Sequence, residues 1–129
     1  MFQQPDILST AFALARHAAA RQTLVAQNVA NADTPGYRSR DLEAFSRLFE
    51  TGMRTGMRAA RPGHIMQQAA AGAHDAEVIA AGGSLSPNGN DVSLEEEMIR
   101  AAAVRQDQDL ALSVYRASLG VLRASLGRN

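Results

Sequence analysis

At 129 residues the chain is long enough for one domain and too short for two. Hydrophobic residues make up 46% of it but aromatics only 5%, and 25 alanines supply much of the apolar content, which argues against a large self-contained core and for closely approaching helices. Thirteen basic residues, all arginine, balance thirteen acids, and cysteine is absent, which excludes disulfide staples, thiolate chemistry and any net attraction to nucleic acid or an anionic membrane.

Asp6 to Asn31 carries the first helical pattern, with Asp6 placed to cap it just after Pro5. Ile7, Leu8, Ala11, Phe12, Ala15, Ala18, Ala19, Gln22, Val25, Ala26 and Val29 trace one broad apolar face, and Arg16, His17, Arg21 and Gln27 fill much of the remainder. His17 has no second ligand at a persuasive spacing, so it reads as a structural or solvent-facing histidine.

The segment Asn28-Val29-Ala30-Asn31-Ala32-Asp33-Thr34-Pro35-Gly36-Tyr37 follows. Asn31 or Asp33 can end the helix, either through left-handed geometry or by bonding to local backbone. Thr34 precedes proline and is pushed toward extended backbone. Pro35-Gly36 suits the centre of a type II turn, since proline fixes the first φ and glycine accepts the positive second one. Tyr37 then presents an amphipathic ring beyond a rigid corner.

Leu42, Phe45, Leu48 and Phe49 recur at helical spacing within residues 41–49, with Asp41 able to cap. They predict a short helix docked through its two phenylalanines on the helix pair or on a neighbour. From Thr51 to Pro87 the periodicity is broken by six glycines and by Pro62 and Pro87, and such a segment is expected to order only in part before assembly. Charge is segregated: residues 38–61 hold six arginines against three acids, whereas residues 75–97 hold six acids and no basic residue. These stretches suit a solvated surface, or patches that complement each other between protomers.

The last third, Ser93 to Leu126, reads as one long helix with a single interior glycine, Gly120. Asn88-Gly89-Asn90 is turn chemistry, Ser93 caps, and Glu96 falls three residues on, the spacing of a capping box. Leu112, Tyr115, Leu119, Leu122 and Leu126 form a stripe at spacings of three and four, widened by Leu110, Val114, Ala117 and Val121. Upstream, Met98, Ala102, Arg105 and Asp109 continue nearly the same line. The fold expected is mainly α and one structural domain. An elongated, coiled-coil-like pair of long terminal helices (within residues 1–37 and 91–129) flanks a partly irregular, glycine-rich central segment, 38–90, that carries a short helix.

Metal, phosphate and nucleophile motifs are missing from the sequence, and Glu95, Glu96 and Glu97 fan around the helix instead of converging. No enzyme, cofactor or small-molecule substrate is expected. No apolar run approaches the ~18 residues of a membrane span, and the N-terminus lacks a basic-then-apolar segment with a cleavage site. The chain is therefore expected not to be transmembrane, and export would proceed without a cleavable signal peptide.

The asparagine-rich helix ending followed by Thr34-Pro35-Gly36-Tyr37 resembles that of the flagellar basal-body rod protein family. The likeness continues through Arg38 to Phe49 and Asn88 to Met98, with a weaker match at Pro62-Gly63-His64-Ile65, and covers roughly residues 5–50 and 86–127. Small size and these flanks look most like the proximal members at the base of the rod. The resemblance implies a structural subunit whose paired helices surround an export channel in a torque-transmitting shaft, needed for flagellum assembly and motility. It implies a periplasmic place in the basal body and an assembly motif at Asn28, Asn31, Asp33, Thr34, Pro35, Gly36 and Tyr37. Partners would be copies of itself, other rod proteins, and export-gate and membrane-ring components, with no nucleic acid. The competing expectation is a soluble helical adaptor or export chaperone that binds a partner helix.

Overall fold

The computed structural model describes residues 6–55 and 76–127. In chain order the elements are α1 (Asp6–Ala30), β1 (Arg40–Leu42), α2 (Phe45–Thr55), β2 (Val78–Ala80) and α3 (Leu94–Ser125). Pro62-Gly63-His64-Ile65, His74 and most of the glycine-broken stretch lie outside the described residues.

Helices α1 and α3 run antiparallel. Asn28 near the end of α1 meets Glu97 at the start of α3, and Ala11 and Leu14 line the same groove as Ala111 and Val114. The seam is narrow and made of small side chains. Ala11, Ala18 and Val25 are buried at intervals of seven residues, and Glu97, Val104 and Ala111 answer them at the same interval. Seven residues are close to two helical turns, so each set stays on one line along its helix. Alanine at two of the three α1 positions and one of the three α3 positions lets the backbones approach closely.

This seam corrects the sequence-based placement of both packing faces. On α1 only one edge of the expected face is buried; Ile7 (61% exposed), Phe12 (62%) and Val29 (44%) lie outside it, and His17, assigned to the polar side, is buried. On α3 the Leu112–Leu126 stripe does not face α1: Leu112, Tyr115 and Leu126 are exposed, Leu119 and Leu122 are half-buried, and Met98 is 72% exposed. Large residues dominate a periodicity analysis, whereas the seam contains a glutamate, a valine and an alanine. Length contributes as well. With Ala111 beside Ala11, about the last two turns of α3 extend past Asp6, the described start of α1.

The segment expected to begin with a cap at Asp41 starts instead as a strand. β1 pairs antiparallel with β2, with Arg40 opposite Ala80, Asp41 opposite Ile79 and Leu42 opposite Val78. The Asp41 carboxylate caps no helix because Arg21 of α1 takes it, and α2 starts four residues later at Phe45. Two three-residue strands are too short to announce themselves by alternation. At the start of α3, Ser93 Oγ accepts from the Glu96 N–H at 3.5 Å. The Glu96 carboxylate pairs with Arg100 at 3.4 Å, so its side chain reaches forward along the helix and not back to Ser93.

Because the seam depends on close approach at Ala18, which is 1% exposed, Ala18→Leu should destabilise the chain by about 1–3 kcal/mol through overpacking. The neighbouring Ala19→Leu, on an exposed position, should change stability by no more than about 0.5 kcal/mol. Urea midpoints of the two variants check the pair.

Candidate assembly site

The end of α1, the corner after it and the turn before α3 come together in one polar cluster. At its centre is Asn28, which is fully buried. Its Nδ2 donates to the Arg40 carbonyl at 2.8 Å and to Glu97 Oε1 at 3.1 Å. Its Oδ1 accepts from the Arg40 N–H at 3.1 Å and from the Tyr37 hydroxyl at 3.3 Å. Two donors and two acceptors are the whole capacity of a primary amide, and all are used. By holding both backbone groups of Arg40, the side chain stands in for a neighbouring strand along the outer edge of β1. Glu97 is equally buried; Oε1 also accepts from Arg100, whose other guanidinium nitrogen donates to the Ala81 carbonyl at 3.3 Å.

A second clamp closes the α1 terminus. Asn90 Nδ2 lies 2.8–2.9 Å from the carbonyls of Asn31, Ala32 and Thr34, in the turn that follows the helix. Its Oδ1 accepts the Val92 N–H at 2.7 Å. Asn31 adds a bond from its own amide to the Gln27 carbonyl at 2.8 Å, and no described non-glycine residue takes positive φ, so the helix ends through side-chain bonding and not a left-handed residue. In the corner, Gly36 has φ +71° and the Tyr37 N–H donates to the Thr34 carbonyl at 3.2 Å, the geometry of a turn with proline and glycine at its centre. The Gly36 N–H donates to the Asn88 carbonyl at 3.1 Å, fastening corner to turn. At Gly83 a Cβ would lie 2.0 Å from the Asp91 carbonyl oxygen, so the chain between β2 and α3 can pass there only as glycine.

Two aspartates fix β1 and its lead-in. Arg21 grips Asp41 through two bonds of 2.7 Å, and Asp41 Oδ1 also accepts the Leu42 N–H at 2.8 Å. Burial alone would raise the Asp41 pKa; the guanidinium and the amide outweigh it and hold the carboxyl below its ordinary value. Asp91 accepts the Ser39 N–H at 2.5 Å, and that bond is the main reason its pKa too is lowered, with Arg38 at 3.6 Å assisting. Arg38 and Asp91 come from the basic and acidic stretches, so part of that segregated charge pairs within one chain.

The remaining site residues divide between inside and outside. His17 Nε2 bonds the Glu43 carbonyl at 2.8 Å, and its ring lies 5.6 Å from Phe45, which in turn stacks on Phe49 at 6.3 Å. Leu42 is buried, Phe45 and Leu48 are half-buried, and Phe49 is 43% exposed at the rim of an apolar groove with Ile7, Leu14, Leu110 and Val114. In the corner, Asn28 is internal and Asn31 and Tyr37 are half-buried, while Asp33, Thr34, Pro35 and Gly36 are exposed. Sequence reading missed Glu97, Asn90, Asp91, Arg21 and Arg100. The seven-residue relation of Arg21 to Leu14 and Asn28 is the signal that would have placed Arg21 inward. Among the described residues no cluster of histidines and acids is arranged to hold a metal ion, and no helix is long and apolar enough to cross a membrane.

A family profile described as Flagella basal body rod protein matches residues 13–38, all but the first two turns of α1 together with the corner. The chain is also 30% identical over 100 residues to the flagellar basal body rod protein FlgB of Agrobacterium fabrum, an alignment covering 74% of each chain. The chain belongs to the flagellar basal-body rod protein family. The family is one of structural rod proteins and is not an enzyme class. In this rod protein the family-matched residues form the inner clamp and the exposed corner together.

Asn28→Ala should cost about 2–4 kcal/mol in urea unfolding, because it strands the Arg40 backbone groups and Glu97 in a buried place. The lowered pKa values of Asp41 and Asp91 set the sign of the acid response. Their stabilisation is complete above the unfolded carboxylate pKa, about 3.9, and is lost as pH falls through the lower folded values. The urea midpoint should therefore be level from neutral pH down to about pH 5 and fall steeply below about pH 4. The double variant Asp41→Asn, Asp91→Asn should start lower at neutral pH and fall less steeply.

Proposed function

We propose that the chain is a proximal rod subunit, held in the periplasmic base of the flagellum by lateral packing of a coiled-coil-like α1–α3 pair. The observation that carries this reading is the apolar surface α3 leaves uncovered: Met98, Ile99, Leu110, Leu112, Tyr115, Val121 and Leu126 are all at least 41% exposed. That surface winds round more than one side of the helix, as a subunit touching several neighbours needs and a binder of one partner helix does not. Membership of the rod family supports the same reading. Repeated copies and other rod proteins would bury these residues, leaving paired helices around an export channel in a shaft that carries torque for motility. Export-gate and membrane-ring components are the partners at its base. The function is mechanical and requires no turnover or cofactor. The outer surface of the corner, Asp33 to Gly36, is the part of the family motif left free to meet a neighbour.

The test separates folding from incorporation. Leu119→Asp lies half-buried near the overhanging end of α3, so it should shift the urea midpoint of the isolated chain modestly and reduce recovery in purified basal bodies severely. Arg105→Gln, at an exposed residue, should do neither. Gly36→Val should be made and exported yet incorporate poorly. Its φ of +71° imposes about 1–3 kcal/mol of backbone strain on valine although the space around it is open. Recovered basal-body occupancy measured against secreted amount gives the readout, and equal incorporation of all three variants would contradict the proposal.

A further inference from the structure

The two outer edges of the β1–β2 sheet are unequal. Asp41 and Ile79 lie directly opposite each other, and beyond them the Ala81 N–H bonds the Ser39 carbonyl at 3.0 Å and the Glu43 N–H bonds the Glu77 carbonyl at 3.1 Å. Antiparallel ladders alternate, so the pairs 39/81, 41/79 and 43/77 face each other across the ladder, the outer two joined by one bond each, and the backbone groups of residues 40, 42, 78 and 80 point outward. On β1 the outward groups of Arg40 are both taken by Asn28, and the Leu42 N–H is taken by Asp41 Oδ1. On β2 nothing comparable exists among the described residues. No hydrogen bond among the described residues engages the outward groups of Val78 or Ala80, and Val78, Ile79 and Ala80 are all exposed, Val78 by 50%.

We infer that the outer edge of β2 is a strand-addition site that receives an extended segment of a neighbouring subunit, with a basic side chain at the end of that segment that meets Glu77. Two donors and two acceptors aligned on an exposed edge are what a peptide adding to a sheet requires. Charge selects the occupant. Glu77, exposed and in no ion pair among the described residues, stands at one end of the edge. At the other end Arg100 touches both the Ala81 carbonyl and Glu96 while also serving Glu97, and Arg40, opposite Ala80 and in no ion pair among the described residues, adds a second cation, so that end carries no excess charge. An apolar segment with an arginine or lysine placed against Glu77 neutralises that charge. The edge is only three residues long, too small to sustain a free dimer near the ~1,000 Å² that stable interfaces need. It suits a contact repeated many times in an assembly. The choice of a subunit as partner rests on the rod reading above; the edge and its charge preference do not.

The probe is the blocked pentapeptide Arg-Val-Thr-Val-Arg, titrated into isotopically labelled full-length protein at millimolar concentration. Saturable amide shifts confined to residues 77–81, with slowed exchange of the Val78 and Ala80 N–H groups, are expected. The same peptide with glutamate at both ends should not bind. Ala80→Pro removes one outward donor and leaves the Asp41–Ile79 pairing untouched, and it should weaken binding about tenfold. Methylating the valine amides of the peptide tests the same bonds without altering the protein, should the variant misfold. Absence of binding, shifts scattered over α1 and α3, or an unchanged affinity for both the variant and the methylated peptide would overturn the inference. In cells, Ala80→Pro protein that enters basal bodies as well as wild type defeats the edge as an assembly contact while the rod reading stands. Wild-type protein missing from basal bodies defeats the rod reading whatever the peptide does.

Discussion

One buried amide sets the positions of three elements. Asn28 projects from α1 into a fully buried site, where an unpaired polar atom costs free energy comparable to a lost hydrogen bond or more. Its four bonds reach β1, the corner and α3, so no one of these can move by a residue without stranding donors and acceptors on the others. The alanine-rich seam cannot provide such discrimination. Sliding one small side chain past another changes little buried area, and apolar contact carries no direction. The seam brings the helices together, and the amide fixes which residues end up adjacent. Glu97 extends that logic, because a fully buried carboxylate is tolerable only where its partners are already in place.

The same division of labour accounts for the exterior. With most large hydrophobic side chains on open faces, the single chain gains little from its own core, and much of the apolar area that would stabilise it lies on surfaces facing away from the seam. A subunit made this way gains stability as it binds its neighbours, since anything that binds the folded form alone shifts the folding equilibrium. The polar clamps carry the specificity that a thin core cannot. They also keep the corner in one conformation before any neighbour arrives: the Gly36 N–H and the carbonyls of Asn31, Ala32 and Thr34 are already engaged by the turn ahead of α3.

Element existence was largely legible in the sequence, and the inward face was not. Both long helices lie within a residue of their expected limits, and the Pro35-Gly36 corner has the positive φ its composition predicts. The strands were hidden because a three-residue ladder leaves no periodicity, and because Asp41 looks like a cap until Arg21 is known to lie beside it. The α3 stripe from Leu112 to Leu126 misled for a different reason. Hydrophobicity marks a face to be buried without saying whether by the same chain or another. Buried polar residues such as Glu97 and Asn90 become inward-facing only when distant partners supply their bonds, and no local pattern carries that information.

The unequal lengths of α1 and α3 have a mechanical consequence. Two helices bonded side by side resist bending much more than either alone, since flexing the pair must shear the contact between them. Among the described residues α1 contributes nothing beyond Asp6, and in the stretch of α3 past that point sits Gly120, whose place in a helix interior costs roughly 1 kcal/mol relative to alanine. Among the described residues stiffness therefore drops from the clamped end at Asn28 toward Leu126. A load applied across the tip is taken up as curvature in the last turns, and the polar clamps at the other end keep their geometry.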